Sequence, residues 1–489
     1  MSGQPGPRTP SAAVGLLEVM DVLAPLAQRF VEAGHEVALV GGPVRDLMLG
    51  QGPAQDLDLT TSARPEAVVN LLEGWADAIW DVGMRFGTVG ARKGDHRLEI
   101  TTYRTESYDD SSRKPEVAFG DSLSGDLVRR DFTINAMAVR LPSLEFVDLH
   151  GGMDDLRDGI LRTPATPEQS FDDDPLRMMR AARFVSQLGF VIEPLAREAM
   201  ARMASRIDIV SAERVRDELV KLLLGKYPRQ GLEVLVESGL AERVIPELPA
   251  LQLELDEHHR HKDVYQHSLT VMEQAIDLES THSPSTPPDV VLRLAALLHD
   301  VGKPRTRKFD ESGGVSFHHH EVVGARMVRK RLTELRFPQE TVDEVSRLTE
   351  LHLRFHGYGT GEWTDSAVRR YVRDAGDLLP RLHKLTRADC TTRNRRRAQA
   401  LQEAYDGLEA RIAELSEQEE LASIRPDLDG NDIMDILGIP AGPDVGRAYR
   451  YLLDIRLDRG PLDREEAERV LTAWWQGTGA AGAGRSVPD

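Results

Sequence analysis

Two aspartates separated by a single residue, Asp56 and Asp58, have the spacing to bind a metal ion together. The segment around them alternates as a strand does, so both carboxylates share one face while Leu57 and Leu59 point to the core. Two such carboxylates repel each other without a cation, and Mg²⁺ prefers oxygen ligands and bridges readily to phosphates. The pair predicts metal-assisted displacement at phosphorus. On its own, it is also compatible with a polar strand edge carrying two solvated aspartates.

A glycine pair, Gly41-Gly42, ends the preceding predicted strand, and a helix is expected to begin near Val44. Glycines let backbone N–H groups approach a ligand closely, and a helix N-terminus favours anions. This arrangement suits a triphosphate, although a plain tight turn would need the same residues.

Glu99, on the predicted strand 97–103, is the candidate for a third metal-binding carboxylate. The alternative is that Glu99 is a surface glutamate.

Several motifs in one order narrow the interpretation to a family. Gly41-Gly42, Arg45-Asp46, Gly50 and Asp56-Leu57-Asp58 resemble the signature motif of the DNA polymerase beta nucleotidyltransferase superfamily. Residues 129–138, which begin Arg-Arg-Asp-Phe-Thr, resemble the second motif of class II tRNA CCA-adding enzymes and bacterial poly(A) polymerases, and residues 148–163 and 211–224 resemble later motifs. The resemblance implies Mg²⁺ on Asp56 and Asp58 as catalytic residues. It also implies nucleotide binding by Gly41, Gly42, Arg45, Arg130, Asp131, Asn135, Asp174, Arg177 and Arg180.

A further pair of residues, Asp174 and Arg177, is expected to read the base of the nucleotide. The segment 172–177 is predicted to begin a helix, which would place both side chains on one face. Cytosine and adenine each present an amino donor to an aspartate and a ring-nitrogen acceptor to an arginine. Uracil and guanine present a carbonyl instead, at a cost of about 1–3 kcal/mol per unpaired group. The family's motif is Glu-Asp-x-x-Arg, and here Asp173 replaces its glutamate; an acidic helix start favoured by the macrodipole is the alternative.

A second group of potential metal ligands lies in the middle of the chain. His299-Asp300 ends an apolar helical stretch and offers a nitrogen and an oxygen ligand to one metal. The pattern resembles an HD-type metal-dependent phosphohydrolase domain, which implies a divalent metal of unspecified identity that activates water for attack on a phosphate ester. The implied ligands are His267, His299, Asp300 and Asp389, with His320 and His352 as possible ligands of a second metal. Lys303 is placed to hold the phosphate.

The elements that position these residues are of two kinds. Residues 12–162 alternate strand and helix signals, whereas almost everything after Pro167 has helical periodicity. We therefore predict an α+β fold, in which a mixed α/β, DNA polymerase beta-like nucleotidyltransferase head precedes an all-helical neck, HD and tail region. The predicted domains are the head at 14–162, the neck at 163–248, the HD domain at 249–425 and the tail at 426–475, with 1–13 and 476–489 disordered.

The composition limits the function classes. The 489 residues suit about three domains. A net charge of −19, from 61 basic and 80 acidic residues, argues against a generic nucleic-acid coating protein but not against a local basic channel. No apolar run reaches the length of about 18 residues that a membrane span needs. The polar N-terminus and the single cysteine, Cys390, predict a cytoplasmic protein, and no oligomeric state is indicated.

Together these patterns predict template-independent addition of CCA to the 3′ end of tRNA from CTP and ATP, with release of pyrophosphate. The predicted partners are tRNA, ATP and CTP, with no membrane. The HD domain is expected to hydrolyse phosphate esters of RNA ends or small molecules. A poly(A) polymerase shares the same motifs, and variants that add only C or only A are alternatives. An HD phosphohydrolase with an RNA-binding head is disfavoured because Asp56 and Asp58 are intact.

Overall fold

The protein forms two compact units, Met1–Pro249 and Ala250–Asp489. The computed structural model describes residues 9–51, 55–80, 83–107, 116–120, 122–252, 264–282, 287–309, 315–355, 363–390, 395–419, 421 and 424–482. Within these ranges, none of the helices combines the length and apolar character that crossing a membrane requires.

The first unit is built on a central sheet. Its strands are β1 (Val37–Val40), β2 (Asp56–Thr61), β3 (Ala78–Trp80), β4 (Thr88–Lys93), β5 (His96–Thr102), β6 (Arg104–Ser107), β7 (Glu116–Phe119), β8 (Met137–Leu141) and β9 (Phe146–Asp148). Seven of them pair in the order β3-β4-β5-β2-β1-β8-β9, and β6 and β7 form a separate hairpin. Strands β2 and β5 are parallel, and the other pairs of the central sheet are antiparallel.

The two strands that carry the predicted catalytic motif follow their side-chain patterns. All four residues of β1 are buried, so this strand lies in the middle of the unit. In β2 the predicted alternation is present, because Leu57 and Leu59 are buried whereas Asp56 is exposed and Asp58 only partly buried. The strand therefore presents its carboxylates on the face opposite the core, as the sequence predicted.

Helices cover the sheet and form the rest of the first unit. They are α1 (Thr9–Glu32), α2 (Gly42–Met48), α3 (Pro65–Leu72), α4 (Leu123–Val128), α5 (Gly152–Asp158), α6 (Pro167–Asp173), α7 (Leu176–Leu188), α8 (Pro194–Met203), α9 (Ala212–Leu223), α10 (Pro228–Glu237) and α11 (Ala241–Val244). A short parallel pair, β10 (Ile160–Leu161) with β11 (Val191–Ile192), puts one strand into the region predicted to be helical.

The single helix expected to begin at Asp172 is wrong. The chain forms two helices there, since α6 ends at Asp173 and α7 begins at Leu176. Asp174 between them has an extended backbone, with φ −148° and ψ 99°. The physical reason is Pro175, whose ring disfavours the helical conformation in the preceding residue. Asp174 and Arg177 consequently do not share a helical face, and a corner between two helices sets their separation.

The second unit is helical except for one hairpin, β12 (Lys308–Phe309) with β13 (Val315–Ser316). Its helices are α12 (Val264–Asp277), α13 (Val290–Leu298), α14 (Lys303–Thr306), α15 (His320–Glu334), α16 (Gln339–Leu351), α17 (Asp365–Ala375), α18 (Leu379–Ala388), α19 (Arg395–Gln418), α20 (Gly430–Leu437), α21 (Pro443–Arg459) and α22 (Arg464–Gly482). Helix α13 is almost wholly buried and packs against α12, α16 and α18. It is the helix whose C-terminal end carries His299 and Asp300.

The ends of the described chain are more helical than their composition predicted. Helix α1 begins at Thr9 and helix α22 ends at Gly482, so both enter the ranges 1–13 and 476–489. Alanines at both ends favour helix, since alanine has the highest helix propensity. Residues 1–8 and 483–489, the remainder of the two ranges, lie outside the described residues.

Candidate active site and metal centre

The first candidate site begins with carboxylates on adjacent strands. Asp58 on β2 lies opposite Glu99 on the parallel strand β5, and Asp56 lies opposite Arg97. Burial raises the pKa of Asp58 to about 6, and repulsion from Glu99 and Asp56 adds to the effect although Arg130 opposes it. This group of oxygen donors favours a cation, and it matches the ligands that Mg²⁺ prefers.

Gly41 brings the phosphate-binding candidates next to these carboxylates. Its φ of +74° is a conformation that side chains disfavour. A Cβ atom at this position would lie 3.1 Å from Nη1 of Arg130 and 3.6 Å from Oδ2 of Asp58. Glycine therefore lets the Asp58 carboxylate and the Arg130 guanidinium approach the end of β1.

These residues open into a cavity of about 750 Å³ in the first unit. Of the predicted site residues, Asp58, Arg130, Asp131, Asp174, Arg177 and Arg180 line it. Among the described residues, the lining does not include Gly41, Gly42, Arg45, Asp56 or Asn135. Glu99, the candidate third carboxylate, also lines the cavity, together with Arg129, Arg214 and Phe86. The fold thus collects acidic and basic groups from distant segments into one space.

Arg45 contacts protein groups beside the cavity. Its Nη1 donates to Oδ1 of Asn135 at 2.9 Å, and its Nε donates to Oδ1 of Asp46 at 2.8 Å. The guanidinium also lies 5.2 Å from the ring centroid of Phe184. The sequence predicted a triphosphate contact for Arg45, and that contact would require these bonds to rearrange.

Asp131 is a buried anion that orients its neighbours. Its Oδ1 accepts from Nδ2 of Asn135 at 3.0 Å, and its Oδ2 accepts from Nε of Arg180 at 2.8 Å. Burial alone would raise the pKa of Asp131, but Arg180 and the Asn135 hydrogen bond hold it well below its usual range. Asp131 therefore stays ionised and fixes the Arg180 side chain at the cavity wall.

Asp174 and Arg177, the two predicted base-reading residues, both line this cavity although a break between two helices separates them. Asp174 pairs with Nη2 of Arg214 on α9 at 3.1 Å, and one of its oxygens accepts from the Leu176 amide at 3.1 Å. Arg177 is buried, and its guanidinium donates to Oγ of Ser170 at 2.9 Å and to the Arg129 carbonyl. These contacts hold an acceptor and a donor at defined positions.

The sequence analysis did not identify Phe184, an aromatic residue whose ring lies close to three arginine side chains of this site. The Phe184 ring lies 4.3 Å from the Arg183 guanidinium and 5.8 Å from that of Arg180, in addition to Arg45. Burial lowers the pKa of Arg183 to about 10, and Arg180 adds to the effect. Glu218, at 3.1 Å from Nε of Arg183, partly compensates. The spacing of Arg180, Arg183 and Phe184 along α7 was the available signal, because residues three and four apart share a helical face.

The second candidate site, in the second unit, contains all six predicted ligands. They fall into two groups, one of His267, His299 and Asp389 and the other of Asp300, His320 and His352. Nε2 of His267 lies 2.9 Å from Oδ1 of Asp389. Oδ1 of Asp300 lies 3.2 Å from Nε2 of His320, whereas its Oδ2 lies 3.3 Å from Nε2 of His299. The Asp300 carboxylate therefore faces both groups.

Backbone hydrogen bonds orient three of these histidines. The Nδ1 atoms of His299, His320 and His352 lie 2.8, 2.8 and 2.7 Å from the carbonyl oxygens of the residues three positions earlier. A carbonyl only accepts, so each Nδ1 carries a hydrogen, and Nε2 is the ring nitrogen left to bind a metal. All three Nε2 atoms are buried without a hydrogen-bond partner. This donor set fits a divalent metal, whose histidine ligands are held in the same way.

The pKa values of two histidines at this centre shift in opposite directions. Burial alone would lower the pKa of His299, but Asp300 and Asp389 raise it to about 10. Burial lowers the pKa of His352 to about 3, with a further contribution from His299. Lys303, predicted to hold a phosphate, instead places its Nζ 2.5 Å from Oδ2 of Asp300. Positive charge is thus favoured at Oδ2 of Asp300, where His299 and Lys303 both lie.

Gly302 lets helix α15 approach the His299-Asp300 turn. A Cβ atom on Gly302 would lie 2.1 Å from the His320 carbonyl oxygen and 2.7 Å from the Gly324 amide nitrogen. Both are backbone atoms that cannot move without displacing the helix. The glycine therefore allows His320 to reach Asp300.

Family models match three successive parts of the chain. Residues 37–162 match the poly A polymerase head domain. Residues 189–251 match the probable RNA and SrmB-binding site of polymerase A, and residues 264–394 match the HD domain.

Curated relatives match the chain to different extents. The CCA-adding enzyme of Lactobacillus delbrueckii subsp. bulgaricus is 43% identical over 230 residues, which is 47% of this chain and 57% of that enzyme. The chain thus spans little more than half the length of such relatives. The A-adding tRNA nucleotidyltransferase of Deinococcus radiodurans is 34% identical over 455 residues, covering 90% of this chain and 96% of the relative. The CC-adding tRNA nucleotidyltransferase of Thermus thermophilus is 33% identical and covers 92% and 96%.

Solved structures have a similar fold. The CCA-adding enzyme of Bacillus stearothermophilus in complex with CTP has a TM-score of 0.64 and 27% identity, and the match covers 94% of this chain and 99% of that one. The Thermotoga maritima CCA-adding enzyme complexed with tRNA has a TM-score of 0.58 at 19% identity and covers 96% and 100%. At that identity, the second match establishes the fold alone.

Proposed function

Because this chain belongs to the family of tRNA nucleotidyltransferases, the family that its motifs predicted, we propose that it adds CCA to the 3′ end of tRNA from CTP and ATP. Pyrophosphate is the second product. The observation that carries the proposal is one cavity lined by Asp58 and Glu99 and also by Asp174 and Arg177. Metal-binding and base-reading groups within one cavity are what a nucleotide-adding enzyme without a nucleic-acid template requires.

The carboxylates provide the reaction centre in this proposal. Asp56 and Asp58 would hold Mg²⁺, with Glu99 as a third oxygen donor. When bound, the metal supplies positive charge to the attacking 3′-hydroxyl and the leaving pyrophosphate. Arg130 and Arg180 line the cavity and would bind the triphosphate, and the ionised Asp131 keeps Arg180 in place. Asn135 supports Asp131 from the other side.

Base selection follows from hydrogen-bond polarity. The Asp174 carboxylate would accept from the amino group of cytosine or adenine, and Arg177 would donate to the adjacent ring nitrogen. UTP and GTP would place a carbonyl against the carboxylate and leave a group unpaired, which costs about 1–3 kcal/mol. Arg214 orients the Asp174 carboxylate through their ion pair.

A partial activity is the second candidate. The Deinococcus relative, matched over 90% of this chain, is an A-adding enzyme, and the Thermus relative, matched over 92%, is a CC-adding enzyme. Addition of A alone or of CC alone therefore competes with full CCA synthesis. Poly(A) synthesis is the third possibility, since the head matches a poly A polymerase model.

A primer-extension assay distinguishes these activities. The purified chain with Mg²⁺ receives tRNA transcripts that lack CCA, lack only the terminal A, or are complete, with each nucleoside triphosphate alone and in mixtures. Addition of two C and one A followed by a stop supports the proposal. Extension of only one of the incomplete substrates indicates a partial enzyme, and long A tails indicate a poly(A) polymerase. No addition to any transcript would overturn the proposal.

For the second unit we propose a metal-dependent phosphohydrolase acting on phosphate esters of RNA ends or small molecules. The two ligand groups joined at Asp300, with their buried Nε2 atoms, support it. His267, His299 and Asp389 would hold one divalent metal and His320 and His352 a second, with Asp300 shared between the two. Ring opening of 2′,3′-cyclic nucleotides to nucleoside monophosphates, or release of phosphate from 2′-phosphorylated RNA, tests it; the activity should be abolished by Asp300→Ala but retained in Asp58→Ala. Equal loss in both variants would contradict a separate activity. The cytoplasm remains the predicted compartment for both activities.

A further inference from the structure

Phe86 is an unusual member of the cavity wall in the first unit. Its side chain is 50% exposed. The other apolar residues among the described lining, Val40, Leu59 and Leu176, are at most 5% exposed. A single exposed apolar residue needs no explanation by itself. Phe86, however, lies in a cavity lined by carboxylates and guanidiniums, where an aromatic ring can stack on a nucleic-acid base.

A closed turn holds this ring in place. The amides of Phe86 and Thr88 donate to the Gly83 carbonyl at 2.8 and 3.1 Å. The Thr88 hydroxyl bonds to the Thr101 hydroxyl at 3.0 Å and accepts from Nη2 of Arg104 at 2.6 Å. Gly83 packs so tightly that an added Cβ would lie 2.8 Å from the Thr88 carbonyl oxygen. The ring is therefore presented by a fixed turn, which lowers the entropic cost of binding.

The strand order places the ring on one side of the carboxylates. Phe86 precedes β4, and β4, β5, β2 and β1 are successive neighbours in the sheet. Glu99 lies on β5 and Asp58 on β2. Gly41 follows β1 and adjoins Arg130, and Arg177 donates to the carbonyl of the preceding Arg129. The carboxylates thus lie between Phe86 and the base-reading residues.

Two substrates must meet at those carboxylates in the proposed reaction. The base of the incoming nucleotide belongs with Asp174 and Arg177, so the side of the cavity that carries Phe86 is left for the RNA acceptor. From this arrangement we propose that Phe86 stacks on the 3′-terminal base of the acceptor, an inference that rests on the proposed nucleotide addition. Stacking suits this position because it tolerates any base, and each addition presents a new terminal base.

A fluorescent acceptor tests this directly. A tRNA acceptor-stem minihelix ending in 2-aminopurine loses emission when its terminal base stacks on an aromatic ring. It is titrated with the full chain carrying no substitution, Phe86→Leu or Phe86→Trp, without nucleotide. Phe146→Leu is the matched control, because Phe146 is 41% exposed on the edge strand β9 and is not among the cavity residues.

The expected result is quenching by the unsubstituted chain, by Phe86→Trp and by Phe146→Leu, but not by Phe86→Leu. Phe86→Leu should also weaken minihelix binding by roughly 5- to 100-fold and raise the KM for tRNA, while the dissociation constant of CTP stays the same. Equal quenching with Phe86→Leu, no quenching with the unsubstituted chain, or an effect confined to CTP would overturn the proposal. If the ring-dependent quenching is present but the unsubstituted chain extends no RNA, the stacking site stands and the proposed reaction fails.

Discussion

The carboxyl groups of Asp58 and Glu99 lie opposite each other on two parallel strands, and repulsion between them adds to burial in raising the pKa of Asp58 to about 6. A group with this pKa changes its charge close to neutral pH. Because Asp58 lies close to Glu99, we expect both the stability of the fold and the rate of the proposed reaction to depend on pH.

Stability should depend on Asp58 in a pH-dependent way. Its folded pKa of about 6 lies above the ordinary value of 3.8 for an aspartate, so the folded protein binds more protons between these pH values. The free energy of unfolding should then fall as pH rises through this window. In EDTA at pH 7.5, Asp58→Asn should unfold with a free energy higher than that of the unsubstituted chain by roughly 2 kcal/mol. The difference should vanish near pH 4, as measured by urea denaturation, and Asp95→Asn, at an exposed position in the turn between β4 and β5, is the control.

Nucleotide addition should require the ionised Asp58. Asp58→Ala should reduce the rate by a factor on the order of 1,000 or more, because one ligand of the metal is lost. At subsaturating Mg²⁺, the unsubstituted chain should lose activity as pH falls through about 6, because protonation of Asp58 competes with metal binding. Single-turnover primer extension from pH 5 to 8.5 measures both effects. Ordinary incorporation by Asp58→Ala, with circular dichroism confirming its fold, would remove the proposed mechanism.

Base selection should weaken when Asp174 is shortened. Asp174→Ala removes the acceptor that rejects UTP, so the preference for CTP over UTP in kcat/KM should fall by about 10-fold or more. Arg214→Ala should cause a smaller fall, since it removes only the ion pair that orients Asp174. Competition assays with CTP and UTP provide the ratio. A CTP preference that survives in Asp174→Ala would assign base selection to other residues.

The two ligand groups of the second unit should bind metal separately. His352→Ala should reduce the metal content of the purified chain from two ions to one, because the His267 group keeps all its ligands. Asp300→Ala should remove both, since its carboxylate faces both groups. Elemental analysis after dialysis against Mn²⁺ gives the counts, with His318→Ala, at an exposed position, as control. Two ions in Asp300→Ala would contradict the shared arrangement.

Gly302→Ala should disturb the same centre without removing a ligand. The added methyl would meet the His320 carbonyl at 2.1 Å, so α15 must shift and the group containing His320 should lose its metal first. The melting temperature should also fall. Gly407→Ala is the matched control, because nothing lies within 4 Å of its Cβ position. Because Gly407 lies within helix α19, this substitution should raise the free energy of unfolding by up to about 1 kcal/mol. Equal metal content in both variants would refute the packing argument.

Local patterns in the sequence predicted much of the fold. The alternation in β2 placed Asp56, Leu57 and Asp58 correctly, because the period of a strand depends only on the backbone. The interpretation of residues 172–177 was wrong because charge spacing was given more weight than Pro175. Phe86 was missed for a different reason. Its relevance depends on which distant segments surround one cavity, and no local pattern records that.

For the second candidate site, too, the sequence predicts one part and tertiary packing decides the rest. The order of His267, His299-Asp300 and Asp389 was sufficient to predict that these side chains lie together. The separation into two groups depends on which oxygen of Asp300 faces which histidine. That choice is fixed by helix packing and by the hydrogen bonds from Nδ1 to the backbone.

The position of Asp300 between the two groups also constrains how this chain can diverge. A descendant that replaces His352 alters one group and leaves the other complete. A descendant that replaces Asp300 damages both in a single mutational step. Gradual conversion of the proposed two-ion centre into a one-ion centre is therefore open through His352 and closed through Asp300.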